Sequence, residues 1–313
     1  MAGCGTLAGM PELPEVETVA RDLQRSVAGA TITDATVNWE RTIRHPQPPE
    51  RFVAELTGAT IRRVGRRAKT VLMHLEDGRV ITVALRMTGA LIVAQPGTPA
   101  DPYARVVFEL EDGRELRYRD VRKFGRLGLW PGGGLRSVGA GRGARSRRVA
   151  EGRHTYRVGE VFSGHGPEPL ARGFSAARLA ERLGNRSAKL KALLLDQSFI
   201  AGVGNIYADE ALWRARLHPL RRADTLDAAD VRRLHRSVRQ VLREGILNRG
   251  SSISDFVGAD GEPGANAERL AVYRRTDRPC HRCGRPIRRI VVGQRSTHFC
   301  PRCQPEPVAS AEV

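Results

Sequence analysis

The feature that most narrows the fold is a set of four cysteines near the C-terminal end. They stand as Cys280-x-x-Cys283 and Cys300-x-x-Cys303, with 16 residues between the pairs. Two CxxC knuckles at this separation can offer four thiolates to one tetrahedral ion, and the spacing falls in the range of about 15–20 residues used by zinc ribbons. A redox CxxC would need one pair rather than two. Ile287, Ile290, Val291 and Val292 lie between the knuckles and read as a hairpin, with Gly293-Gln294-Arg295-Ser296-Thr297 as its tip. His281 and His298 adjoin the cysteines, but four thiolates already fill the site, so both are expected to be non-ligands. One structural zinc ion is the expected cofactor. Cys4 stands alone, and two CxxC pairs in a chain this long fit metal binding in a reducing compartment better than a disulfide framework.

Charge narrows the partner. The 313 residues include 52 Lys+Arg and 34 Asp+Glu, a formal charge of +18, with a pI near 11.0. Such an excess favours a polyanion, because neutralising phosphates releases condensed counterions. Only four of the basic residues are lysines: Lys69, Lys123, Lys189 and Lys191. Codon bias explains arginine over lysine, but not the excess over acids. Hydrophobic residues make up 41% of the chain, enough for a core once glycine is counted. No apolar run reaches the roughly 18 residues needed to span a bilayer. The opening ten residues lack the basic flank and apolar stretch of a signal peptide.

The pattern along the chain is α+β. Pro14 suits a first helical turn, and Val16, Val19, Ala20, Leu23 and Val27 follow at helical spacing until Gly29. Glu12, Glu15 and Glu17 fall at the positive end of that helix. Strand patterns then take over, in Thr70–Leu75, Arg79–Met87, Val106–Leu110 and Glu115–Tyr118, with turn signals at Asp77-Gly78 and Asp112-Gly113. Short strands in series predict a β-sandwich or barrel-like domain. Residues 131–153 are Gly, Arg and Ser with almost nothing to bury, and read as a basic linker or insertion. From 175 to 250 the pattern is helical. Asp227 is the expected cap of a helix carrying Val231, Leu234, Val238, Val241, Leu242 and Ile246 on one face. The expected organisation is a leader at 1–10, a β-sandwich domain at 11–130, a linker at 131–160, a helical domain at 161–272, the ribbon at 273–304 and a tail at 305–313.

Three stretches go further. Met10-Pro11-Glu12-Leu13-Pro14-Glu15-Val16-Glu17 is an unusual helix entrance. Gly202-Val203-Gly204-Asn205-Ile206-Tyr207-Ala208-Asp209-Glu210 is glycine-tight between helical segments. The ribbon tip is the third. Together they closely resemble the formamidopyrimidine-DNA glycosylase family of bacterial repair enzymes, from Met10 to about Gln304 apart from 131–153. Leu13 after Glu12 resembles this branch, whereas the related endonuclease VIII branch typically has Gly there.

The resemblance implies a helix and β-sandwich, then a helix–two-turn–helix domain with a C-terminal zinc ribbon, and DNA in the cleft between them. It implies damaged double-stranded DNA as partner, a monomer, and a cytoplasmic, nucleoid-associated setting. It also implies excision of 8-oxoguanine and formamidopyrimidines, followed by strand cleavage at the abasic site. Pro11 resembles the N-terminal proline nucleophile and Glu12 its acid/base carboxylate. Lys69 matches a lysine linked to β-elimination and phosphate contact, and Arg295 a ribbon arginine linked to δ-elimination. Asn205 matches a phosphate-binding asparagine. Met87, Arg122 and Phe124 match the side chains that fill the gap left by an extruded base. Tyr103 and Arg186 fall at DNA-contact positions.

The chemistry gives these residue types a reason. Attack on C1′ of the sugar needs an unprotonated amine. At pH 7 roughly a tenth of an α-amino group is neutral, against less than about one in a thousand for a lysine. A terminal proline is a secondary amine and can form an iminium ion, but an internal proline nitrogen is an amide and cannot. The expectation is therefore a start at Met10, whose removal frees Pro11. The chain departs from the family at Ala84 (usually His), at Val121 (usually Pro) and at Gly264–Ala267, where an aromatic pair is common. Arg86 is the cation nearest to Ala84 in sequence that could compensate. The competing readings are an oxidised-pyrimidine glycosylase, a non-catalytic DNA-binding paralogue if residues 1–10 are retained, and a generic zinc-ribbon transcription or translation factor.

Overall fold

A computed structural model describes residues 10–132, 158–184, 186–253 and 255–307. Cys4, nearly all of the leader, the linker from 133 to 157 and the last six residues of the tail lie outside the described residues. The chain divides into two compact units. One comprises Val16–Pro167 and Val257–Glu262. The other comprises Glu168–Phe256, the part from Pro263 onward and the segment that ends at Glu15.

The first unit is a β-sandwich. Helix α1 (Leu13–Ser26) starts in the other unit and continues into this one. It is followed by β1 (Ile32–Val37), β2 (Ile43–His45), α2 (Pro49–Leu56), β3 (Ile61–Arg67), β4 (Thr70–Leu75), β5 (Val80–Ala84), β6 (Gly89–Ala94), β7 (Ala104–Leu110), β8 (Glu115–Asp120), β9 (Arg126–Trp130) and α3 (Val158–Val161). One sheet has the order β1-β7-β8-β6 and the other β2-β9-β5-β4-β3; β2 runs parallel to β9 and the other pairs are antiparallel. Alternation along β7 buries Val106, Phe108 and Leu110 on one side, the period-2 signature of a half-buried strand. On β4, by contrast, Val71 to Leu75 are all buried. Val158 and Phe162 explain part of this, since they pack on Leu72, Val80 and Trp130. The sequence predicts one strand over Arg79–Met87, but the structure ends β5 at Ala84. There the chain turns through Arg86, at φ +61°, and crosses into the other sheet.

The second unit is helical and carries the ribbon. It contains α4 (Ala176–Leu183), α5 (Leu190–Leu195), α6 (Asn205–Ala215), α7 (Ala228–Leu247), β10 (Arg288–Val292) and β11 (Arg295–Phe299). Asp227 caps α7 as expected, its carboxylate accepting from Asp230 N at 2.6 Å. The predicted stripe of α7 is buried against α6, α4 and Leu13, with Ile246 at its edge. None of the helices among the described residues is long and apolar enough to cross a membrane.

Helix α6 is buried nearly all round, and two acids lie in it. Asp209 is fully buried; its Oδ1 accepts from Lys191 Nζ of α5 at 2.6 Å, and that lysine is fully buried too. Its Oδ2 accepts from His298 N of β11 at 2.9 Å. Glu210 accepts from Ala271, Val272 and Tyr273 backbone N–H groups, each at 2.9 Å. Burial pushes the Glu210 carboxyl above its ordinary value, against the pull of those amides. Removing one partner of a buried ion pair strands the other charge. Lys191→Met is therefore expected to lower unfolding stability by about 3–5 kcal/mol, measured by urea denaturation.

Candidate active site and four-cysteine centre

The segment before α1 is held by the entrance of α6. Leu13 N donates to Gly202 O at 3.0 Å, and the Leu13 side chain joins the helical core. Glu12 is 3% exposed. Its carboxylate accepts from Gly204 N and Ile206 N at 2.8 Å each, and from Tyr207 N at 3.4 Å. These amides are the ones a helix N-terminus leaves unpaired, and the helix dipole favours an anion there. Glu12 thus caps a helix nearly two hundred residues away in sequence. Gly204 is required by this approach: a Cβ there would lie 2.4 Å from Glu12 Cδ. Pro11, directly before Glu12, is also buried.

Glu15 completes the arrangement, although the sequence shows it only as one of three acids at a helix start. Its Oε2 accepts from Glu12 N at 2.9 Å, the reciprocal half of a capping box on α1. Its Oε1 accepts from Tyr207 Oη at 2.7 Å and from Ser251 N at 2.7 Å. Burial raises the Glu15 carboxyl above its ordinary value, opposed by these bonds. Burial and the adjacent Glu15 also hold the Tyr207 hydroxyl protonated. Glu17, in contrast, is only partly buried; despite the opposing effect of burial, Arg66 and Arg21 hold its carboxyl below the usual range.

Asn205 opens α6, and its Nδ2 donates to Ser296 O of β11 at 2.9 Å. Arg295, the neighbour of Ser296, is exposed. The sequence places Arg295, Ser296 and Thr297 at the hairpin tip. In the structure the turn is only Gly293-Gln294, both at positive φ, and Arg295 begins β11 opposite Val292. Thr297 is fully buried. Arg186 is exposed, with its guanidinium 5.7 Å from the Phe199 ring centre.

The four predicted cysteines converge, with all Sγ atoms within 4.8 Å of one another. Cys280 and Cys303 are 3.9 Å apart, and Cys283 and Cys300 are 3.4 Å apart. A tetrahedral thiolate site with metal–sulfur bonds of about 2.3 Å requires sulfur separations of about 3.8 Å, so the set fits a metal ion. Arg282 N and Trp213 Nε1 donate to Cys280 Sγ at 3.5 and 3.4 Å. Despite opposing burial, such bonds bring the Cys280 thiol down to about 6, whereas burial pushes Cys300 up to about 12. Among the described residues no histidine joins the cluster; His298 faces Asp209 instead, with Nδ1 3.2 Å from Oδ2.

The remaining candidates belong to the sandwich unit. Ala68-Lys69 form the turn between β3 and β4, with Ala68 at φ +52°. Arg66 NH1 donates to Ala68 O at 2.9 Å, and Arg67 NH2 donates to Gly166 O at 2.8 Å, which stiffens the strand that leads into it. Met87 lies in the turn between β5 and β6. Arg122 and Phe124 lie between β8 and β9, with the guanidinium 4.9 Å from the ring centre. Phe124 is 49% exposed and Tyr103, before β7, is 42% exposed. The guanidiniums of Arg105 and Arg119 each lie 5.8 Å from the Tyr103 ring centre. Exposed aromatics interleaved with arginines match a nucleic-acid surface. The structure therefore gathers Pro11, Glu12, Asn205 and the ribbon in one unit, and Lys69, Met87, Tyr103, Arg122 and Phe124 in the other.

Comparison with known proteins gives a consistent result. The formamidopyrimidine-DNA glycosylase N-terminal domain matches residues 10–127, its H2TH domain residues 165–257, and the zinc finger found in FPG and IleRS residues 278–305. Formamidopyrimidine-DNA glycosylase of Chloroflexus aurantiacus is 45% identical, over 94% of this chain and 98% of that protein. The MutM (Fpg) protein of Thermus thermophilus is 39% identical with a TM-score of 0.78, covering 95% of this chain and 100% of its own. Lactococcus lactis Fpg bound to Fapy-dG-containing DNA is 32% identical with a TM-score of 0.79, covering 94% of this chain and 100% of its own.

The Glu15 geometry has a pH consequence. A carboxyl whose folded pKa is raised contributes stability that is full below its unfolded value, about 4.5, and is lost as pH rises through the folded value. Glu15→Gln cannot titrate. Its melting temperature relative to the parent is expected to move in the variant's favour between about pH 4 and pH 7. A difference that stays flat across this window, followed by circular dichroism, would contradict the raised carboxyl.

Proposed function

The chain belongs to the formamidopyrimidine-DNA glycosylase family, a DNA-binding repair family, and from that premise we propose that it is a bifunctional glycosylase and abasic-site lyase for oxidised purines in base excision repair. The substrates are 8-oxoguanine and ring-opened formamidopyrimidines in duplex DNA, and the protein acts as a monomer on the bacterial nucleoid. The observation that carries this reading is the fixed carboxylate of Glu12 beside Pro11, oriented by the amides at the entrance of α6.

Pro11 acts as nucleophile once it is the first residue. Its nitrogen lone pair bonds to C1′, and the damaged base departs with the electrons of the glycosidic bond and takes up a proton. Opening of the sugar ring gives an iminium ion, which withdraws electrons and loosens a 2′ proton. Loss of that proton expels the 3′ phosphate, and a second elimination expels the 5′ phosphate. Glu12 moves the protons. Its amide donors fix its direction. Lys69, Arg295 and Asn205 hold phosphate, with Lys69 supporting β-elimination and Arg295 δ-elimination. Met87, Arg122 and Phe124 occupy the gap left by the extruded base, and Tyr103 and Arg186 contact DNA. One zinc ion held by Cys280, Cys283, Cys300 and Cys303 supplies rigidity to the ribbon that carries Arg295, and takes no part in bond making.

Two outcomes are expected. A chain that begins at Pro11 should be trapped by borohydride on abasic DNA, whereas one that retains residues 1–10 should not. It should also cleave duplexes containing 8-oxoguanine faster than duplexes containing an oxidised pyrimidine. Absence of trapping from both forms would sink the proline chemistry. Retained binding without cleavage of either duplex would favour a non-catalytic paralogue, and the reverse preference an oxidised-pyrimidine enzyme.

A further inference from the structure

Two crossovers leave the sandwich at the same end. β5 passes to β6 through Leu85–Thr88, and β8 passes to β9 through Val121–Gly125. β5 pairs with β9 and β6 with β8, with Ala84 opposite Arg126 and Gly89 opposite Asp120, so the crossovers lie side by side. Met87 sits on one, and Arg122 and Phe124 on the other. Apolar burial does not hold the second crossover: Val121 and Phe124 are 46% and 49% exposed. An exposed loop of this kind is mobile unless polar contacts fix it.

Asp120, the last residue of β8, is 1% exposed and sits between the two. Its Oδ1 accepts from Thr88 Oγ1 at 2.5 Å and from Arg122 N at 3.2 Å. Its Oδ2 accepts from Gly125 N at 2.7 Å and from Tyr118 Oη at 3.2 Å. Arg122 N is shared with Thr88 Oγ1 at 3.1 Å, so the threonine hydroxyl bridges the two crossovers. The Asp120 backbone extends the hub, because its N–H donates to Tyr103 O at 2.9 Å. Burial, reinforced by this carboxylate, keeps the Tyr118 hydroxyl protonated as a donor. Space is tight as well: a Cβ on Gly125 would lie 1.5 Å from the Tyr118 hydroxyl oxygen. A buried carboxylate with this many donors is a high-stakes network that rigidifies what it touches.

We propose that Asp120 and Thr88 form a positioning clamp that presets Met87, Arg122 and Phe124 for entry into the duplex, and so governs base extrusion rather than the bond changes at C1′. The clamp rests on the repair reading given above. Preset side chains need not be ordered at the moment of insertion, which is where the gain in rate arises. The network acts through the two crossovers that it ties together, and so through the three side chains that these crossovers carry.

The test uses the full chain beginning at Pro11 and the near-isosteric Thr88→Val, which removes only the bridging hydroxyl, with Thr88→Ser as the variant that keeps it. Single-turnover rates are measured on a duplex containing 8-oxoguanine, which requires extrusion, and on a duplex with a preformed abasic site. Thr88→Val is expected to slow excision about tenfold, corresponding to one hydrogen bond, while cleavage at the abasic site changes by less than about threefold. Thr88→Ser is expected to restore excision. A 2-aminopurine placed beside the lesion reads insertion without chemistry; its fluorescence should rise on binding of the parent and less with Thr88→Val. Equal losses on both duplexes, or no loss on either, would overturn the clamp while leaving the repair activity standing. A parent chain inert on both duplexes would instead overturn the repair reading and the clamp with it.

Discussion

Helix α6 puts charge where an apolar helix would be expected, and its unit is organised around that fact. Its first amides receive Glu12, and its two acids receive the ribbon. Burying a carboxylate is costly unless hydrogen bonds replace water. Here almost every oxygen has a donor, and most donors are backbone amides, which cannot swing away. The result is directional as well as stable. Apolar packing tolerates sliding, whereas a carboxylate with two or three amide partners has one position. The segment that carries Pro11 and the strand that carries Arg295 are thus referred to the same short helix.

The arginine excess looks different once the side chains are placed. A basic chain invites the reading that its cations face DNA. Many are spent on backbone carbonyls in irregular segments. Arg117 donates to Thr98 O and Pro99 O, Arg182 to Ser198 O and Phe199 O, and Arg239 to Pro169 O and Ala171 O. A guanidinium carries five donors in a planar fork and can satisfy two carbonyls at once, which an ammonium does less well. The bias toward arginine therefore has a structural use, and net charge overstates the surface available to phosphate.

What could be read from the sequence was what local spacing encodes. The ribbon follows from two CxxC pairs, α7 from a 3.6-residue stripe and an Asp cap, and a run of short strands from turn signals, with the sandwich itself, rather than a barrel, implied only by the family resemblance. The family followed from short strings in order. What stayed hidden depends on pairings that sequence distance conceals. Glu15 shows no sign of Ser251, Lys191 no sign of Asp209, and Asp120 no sign of Thr88. The sequence suggests a hairpin tip three residues longer than the turn itself, because Arg, Ser and Thr suit a turn as well as an edge strand, and only the pairing of Arg295 with Val292 decides. The sequence pattern runs past the end of β5 for the converse reason: Leu85 and Met87 continue an apolar pattern across a bend that Arg86 makes at positive φ.

The cap on α6 also sets an order of assembly. Gly204 and Ile206 lie 192 and 194 residues beyond Glu12. During synthesis the chain emerges from its N-terminal end, and contacts this distant form late because loop closure must come first. The opening residues are among the first to leave the ribosome, yet they have no fixed place until about two-thirds of the protein has been made. A truncated or stalled product ending before α6 would hold Pro11 and Glu12 without the frame that aims them. Such a fragment would present a Glu12 carboxylate that no helix amide orients.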